Sequence, residues 1–180
     1  MNRAEATALL HKMVESESLR RHSLSVGIVM EAYAKKLGKD VEEWFITGLL
    51  HDADYEKHPA EHPDVIVKHM NEIGLPKIAH AISAHYTKWN VSYDTLLDKA
   101  LLACDELTGF IIAVSLMRPT KLEGMKVKSV KKRLRTKNFA AGVERDEVHK
   151  GVELFDVTIE EHIQFIINAL YEKRVELDLN

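Results

Sequence analysis

Residues 40–52 read DVEEWFITGLLHD. Asp40 sits where a helix starts, and from Trp44 to Leu50 the segment is almost wholly apolar. Such a helix buries its C-terminal end before it reaches His51 and Asp52. An imidazole and a carboxylate therefore arrive inside the protein. The run continues as LLHDADYEKHPAEH over residues 49–62, placing three histidines and four carboxylates behind two leucines. Two readings compete: a solvated polar loop, or metal ligands delivered from the end of a buried helix.

The rest of the chain supplies the frame. Apolar residues recur at helical spacing along most of it, and no run alternates as a half-buried strand does. The pattern predicts an all-α fold. Helices are predicted at about Arg3 to Ser16, at Glu17 to Leu37 with Gly38 as a left-handed cap, and from Asp40 into Asp52. Further helices are predicted near Asp64 to Ile73, Lys77 to Tyr86, Tyr93 to Met117 and Thr158 to Glu176. At 180 residues without linker or repeat, residues 1–180 read as one domain.

Composition excludes several classes. The formal charge of −3 gives no global attraction for nucleic acid or an anionic membrane, so nucleic acid is disfavoured as a partner. Cys104, the one cysteine, lies in the apolar run ALLAC and has no internal partner, which suits a cytoplasmic protein. No apolar run resembles a signal peptide or reaches the roughly 18 residues of a membrane span. A homodimer stays open, since no seam specifies one.

Polar residues at positions that demand an apolar one carry the most information, because burial must be offset by a partner or a metal. His22 falls on the stripe of Leu19, Val26, Met30 and Tyr33. His85 continues the stripe of Ile78, Ala81 and Ile82. Asp105 shares its face with Leu101, Thr108 and Ile112. A lone buried carboxylate there would cost several kcal/mol. Four helices thus each aim an imidazole or carboxylate inward: His22, His51 with Asp52, His85, and Asp105. Nitrogen and oxygen donors in this mix suit iron, manganese or zinc.

Two other readings of the 49–62 run fail on geometry. A calcium loop starting at Asp52 would put Lys57 at the required glycine and Pro63 at the closing glutamate. A zinc pair of His58 and His62 is interrupted by Pro59 and lacks the glutamate of HExxH. His80 lies about 140° around an ideal helix from His85, so the two do not share one metal face. His11, His69, His149 and His162 read as surface or rim residues.

The order His22, then His51-Asp52, then Asp105 resembles the H…HD…D signature of the HD-domain metal-dependent phosphohydrolases. Members with a longer signature bind two metals and carry two more histidines before the last aspartate, the first often followed by proline. His62-Pro63 and His85 match those positions. The resemblance spans residues 18–115 and implies an HD-domain helical bundle with additional C-terminal helices. It also implies that His22, His51, Asp52 and Asp105 hold one divalent metal, with Asp52 bridging to a second held by His62 and His85. HDADYEKHPAEH, CDELTGFIIAVSLMRP and VKSVKKRLRTKNFAAGV are similar to small bacterial proteins of the HD or HDIG type. Ala53 and Asp54 stand where that pattern has isoleucine and glycine, which makes transfer of a substrate from HDIG enzymes unsafe. The gap of 11 residues from His51 to His62, and the absence of a GYP motif, disfavour cyclic dinucleotide hydrolysis.

Such a site suits phosphate ester hydrolysis by metal-activated water. A nucleotide or related phosphorylated small molecule is the predicted substrate. Asp52, Asp54 and His58 are the predicted catalytic residues; Asp54 or Glu106 would orient water or hydrogen-bond a ligand imidazole, and His58 would serve as acid or phosphate ligand at the entrance. KVKSVKKRLRTK, residues 126–137, carries seven basic residues and no acid. If helical, it puts Lys128, Lys131, Lys132 and Arg135 on one face, and with Lys137 these are the predicted phosphate-binding residues. Phe139 reads as a base-stacking ring or as core. Two alternatives remain at this level: the ligand order also resembles di-iron HD oxygenases such as inositol oxygenase, and the basic segment would equally serve a non-catalytic phosphate-binding module.

Overall fold

Asn2, Ser16, Asp40, Thr95 and Thr158 each accept a hydrogen bond from the backbone N–H three residues on, and each begins a helix. Three of these starts are reciprocal, with Glu5, Asp98 and Glu161 reaching back to the cap backbone. The computed structural model describes all residues 1–180 and contains no strand. Its helices are α1 (Arg3–Met13), α2 (Glu17–Leu37), α3 (Val41–Leu50), α4 (Asp64–Glu72), α5 (Pro76–His85), α6 (Leu96–Leu116), α7 (Val127–Leu134), α8 (Arg145–Leu154) and α9 (Ile159–Glu172), with a 3-10 turn at Thr87–Trp89.

The all-α reading holds, and α2 has the predicted bounds, closed by Gly38 at φ 63°. Other ends shift for local reasons. Helix α1 stops at Met13 because Val14 turns extended and Ser16 is committed to capping α2. Helix α3 stops at Leu50, so His51 and Asp52 open the following turns. Helix α9 ends at Glu172, and residues 173–178 continue as turns. Helix α8 was not predicted: its buried face is only Val148, Gly151 and Val152, too sparse to stand out in sequence.

Helices α2, α3 and α6 form the centre. At the α2/α3 crossing, a Cβ on Gly48 would lie 2.8 Å from the Gly27 nitrogen, so the two backbones touch. His22 and His51 both hang within about a turn and a half of that crossing, which brings their rings together. Trp44, Phe45, Leu49 and Leu50 are all at most 3% exposed, each contributing about 1.5–3 kcal/mol of burial. Helix α8 approaches α6 as closely, since a Cβ on Gly151 would lie 2.7 Å from the Ala103 Cα. One cluster of 43 buried hydrophobic residues runs from Ala6 to Leu179, so α7–α9 pack on the same core as α1–α6.

His162 corrects a sequence expectation. It is fully buried rather than at the rim, with Nε2 donating to the Ala103 carbonyl at 2.8 Å. Its Nδ1 then accepts from the Tyr33 hydroxyl at 2.6 Å. Its place on the inward face of α9 was legible only once Ile163, Ile166 and Ile167 were seen to face the core. No helix is long and apolar enough to cross a membrane.

Candidate metal centre

The polar run after α3 is tied down on both sides. Glu56 accepts from the backbone N–H groups of Glu15 and Ser16, and Lys57 donates to the Lys12 carbonyl while pairing with Glu15. Asp54 is fully buried: Oδ1 meets His62 Nδ1 at 2.7 Å and Oδ2 accepts from the Ile66 N–H at 3.0 Å. The run is held at both ends by buried contacts, while its middle, Tyr55–Lys57 and Pro59–Glu61, stays exposed.

Around it, α2 brings His22, α5 ends on His85, and the middle of α6 brings Asp105. His22 Nε2 lies 3.2 Å from His51 Nε2 and 3.0 Å from Asp105 Oδ1. His51 Nε2 lies 3.2 Å from Asp105 Oδ1 and 3.3 Å from Asp52 Oδ2. The other Asp52 oxygen, Oδ1, stands 3.5 Å from His62 Nε2 and 3.6 Å from His85 Nε2. Two groups able to hold a metal ion result, each with donor atoms within 4.8 Å of one another, and Asp52 belongs to both.

The donor chemistry fits metal. Bonds of about 2.1 Å at roughly 90–110° set neighbouring ligand atoms about 3.0–3.4 Å apart, close to these separations. Three of the four imidazoles have Nδ1 engaged: His51 with the Gly48 carbonyl, His85 with the Ile82 carbonyl, and His62 with Asp54. An Nδ1–H donated outward leaves the Nε2 lone pair facing the cluster. Gly109 supports His22 by close approach, since a Cβ there would lie 3.2 Å from His22 Nδ1.

Electrostatics agree with a cationic occupant. Burial opposes the His51 imidazolium, but Asp52 and Asp105 override it and hold its pKa well above the usual histidine range. Burial likewise opposes ionisation of Asp52 and Asp105, yet the facing His51 keeps both well below the usual carboxylate range. Glu106 behaves oppositely: burial, then the adjacent Asp105 charge, push it up to about 8. The centre opens into a cavity of about 730 Å3 that is also lined by Tyr55, the segment Tyr86–Lys88, and Glu106, Glu144 and Glu147, with the Tyr55 and Tyr86 rings packed edge-on against His62.

The family model for the HD domain matches residues 19–136, well over half of the chain and all six clustered residues. The chain belongs to the HD-domain family. Searches of the curated proteins and of the solved structures returned no match. HD domains are typically metal-dependent hydrolases, and the clustered histidines and aspartates give this one a centre compatible with a divalent metal.

The HD pair itself, His51-Asp52, sits at the junction of the two donor groups. Asp54 lies beside the pair but faces away from the cavity, spent on His62 and Ile66. His58 is also outside the cavity, partly exposed and 3.4 Å from Glu61. The basic segment is helical as α7, but it faces elsewhere: Lys128, Lys131, Lys132 and Arg135 line a separate cavity with Glu160, to which Lys131 is ion-paired. Arg135 and Lys137 border a third depression with His149, and it shares Val143 and Glu144 with the cavity of the metal centre. Phe139 is half-buried, packs in a T-shape with Phe110 and carries Arg133 over its ring. His80 turns from the HD centre toward Asp94 and Asp98. Tyr55, Tyr86, Lys88, Glu144 and Glu147 were not singled out in sequence, because no periodicity marks a cavity wall assembled from turns and the start of α8.

Proposed function

We propose that this HD protein is a metal-dependent phosphohydrolase acting on a phosphorylated small molecule by attack of water at phosphorus. The observation that carries the reading is the shared carboxylate: Asp52 presents one oxygen to His22 and His51 and the other to His62 and His85. His22, His51, Asp52 and Asp105 would hold one divalent ion and Asp52, His62 and His85 a second, with iron, manganese or zinc suited to these donors. When bound, such ions lower the pKa of water toward neutrality and offset charge on phosphoryl oxygens.

The protein's own groups supply the rest. Asp54 fixes the tautomer and direction of His62. Glu106 spends Oε2 on the Glu144 N–H at 3.2 Å, leaving its other oxygen to orient the attacking water. Lys88 is the one Lys or Arg lining the cavity, so it takes the phosphate contact assigned in sequence to α7. We read residues 1–180 as one domain, and the buried, unpaired Cys104 fits a cytoplasmic location.

Release of phosphate from a panel of phosphate esters, with iron, manganese or zinc supplied, tests the reading. Loss of turnover by at least a hundredfold in Asp52→Ala is expected; full retention would sink it. Oxygen consumption without phosphate release would move the site to oxidative chemistry instead.

A further inference from the structure

The formal charge of −3 averages two unlike parts of the chain. Of 25 basic residues, seven fall within residues 126–137, whereas none of the 28 acids does. In this segment α7 turns Lys128, Lys131, Lys132 and Arg135 into one depression of about 560 Å3, where Glu160 is the only acid. Glu160 pairs with Lys131, while Lys128, Lys132 and Arg135 are exposed and form no ion pair. Each of these cations has another three or four residues away, a spacing at which like charges destabilise a helix. Val130 is the one fully buried residue of α7, so little within the helix offsets that repulsion. An anion supplied from outside would offset it.

The layout selects the kind of anion. At 1.5 Å per residue, Lys128 and Arg135 stand about 10 Å apart along the helix axis. Arg135 also borders the next depression, beside Lys137. The cations therefore follow a line instead of converging on a point, and a single phosphate cannot reach them all. A nucleic-acid strand carries a phosphate about every 3.4 Å of helix axis and sets about three against this face. Anionic lipid fits less well, because a basic helix held at a membrane surface also inserts apolar side chains. Val127 is the only apolar residue lining the depression, and both it and Leu134 pack against the core. The acidic remainder of the chain repels a polyanion, which confines docking to this face. Arg133 covers the half-buried Phe139 ring, so phosphates rather than bases are contacted.

We propose that the exposed face of α7 docks the sugar–phosphate backbone of a nucleic acid, independently of its base sequence. This stands apart from the phosphohydrolase reading, since the α7 face and the metal centre belong to separate cavities.

The test is fluorescence anisotropy of a labelled thymidine strand of about 20 nucleotides, titrated with the protein over a series of salt concentrations. Affinity is expected to fall as salt rises, with a log–log slope of about −2 for about three neutralised phosphates. Lys128→Ala/Lys132→Ala should weaken binding at least tenfold at low salt and flatten the slope by about one, whereas Lys128→Arg/Lys132→Arg should bind as the unaltered protein does. No binding at low salt, full binding by the alanine pair, or loss of binding in the arginine pair would each overturn the proposal. So would loss of binding in Lys88→Ala, which would place the strand in the cavity of the metal centre. Tighter binding of polyglutamate of equal length, or binding to vesicles of phosphatidylcholine and phosphatidylserine without binding of the strand, would assign the face to an acidic protein or to a membrane and reject a nucleic acid.

Discussion

At the scale of single residues, the centre depends on neighbours that hold its imidazoles in place. Asp54 holds His62 through one oxygen and the start of α4 through the other. Asp54→Ala frees the ring and leaves the Ile66 N–H unpaired. We expect metal affinity at the His62/His85 group to fall by about 10–100-fold, read by titration of the metal-free protein, with occupancy of the other group retained. Gly109→Ala acts on the opposite group, because the new methyl presses on His22 Nδ1. A tenfold or greater loss of metal affinity with an unchanged circular dichroism spectrum is expected; unchanged affinity would mean that His22 does not ligate. Most of the candidate ligands are legible in sequence because they interrupt apolar helical stripes. His62 was not, since it lies in a turn without periodicity, and only its place in the signature pointed to it. The cavity wall was illegible for a related reason: Tyr55, Tyr86 and Glu147 converge from distant parts of the chain, and no local pattern records that.

At the scale of elements, the α2/α3 crossing does most to set the site. Gly27 and Gly48 let two backbones touch, and the rings of His22 and His51 meet beside that contact. Gly48→Ala would force the helices apart. A loss of about 1–3 kcal/mol is expected in urea unfolding, together with weaker metal binding. Helix existence was well marked by capping residues and by apolar spacing. Helix ends were less so, because Ser16 serves α2 rather than α1 and because α3 yields to turns at His51. Helix α8 is faint in sequence since its contact with α6 runs through Gly151, a residue that leaves no hydrophobic signal. Helix α9 hides a titratable group: burial holds His162 down to about 4, against 6.5 when exposed, and the Ala103 hydrogen bond only partly offsets this. The folded protein keeps it neutral, while the unfolded chain takes up a proton below pH 6.5. Its contribution to stability is therefore fully present above that pH and is lost as pH falls from 6.5 toward 4, by roughly 3 kcal/mol in all. His162→Gln should show a shallower fall in unfolding midpoint between pH 7 and pH 5 than the unaltered protein, even if it starts lower. Parallel falls would place the acid sensitivity elsewhere.

At the scale of the whole molecule, the basic face of α7 and the metal centre belong to separate cavities. The positive run of α7 was plain in sequence, but which way it faced was not, because orientation follows from Val130 packing into the core. The lysines consequently lie outside the cavity of the metal centre. Replacing Lys128 and Lys132 together by alanine should leave metal content and phosphate release within about twofold, whereas Lys88→Ala should raise KM for a phosphate ester by tenfold or more. A large loss in the former would return the substrate to α7. Asp52 would be shared by two metals, and metal content per chain, measured by elemental analysis after loading with iron, manganese or zinc, tests this most directly. The two donor groups sharing Asp52 predict close to two ions in the unaltered protein and close to one in His85→Ala. No bound metal under any loading, or the same content in both proteins, would contradict it.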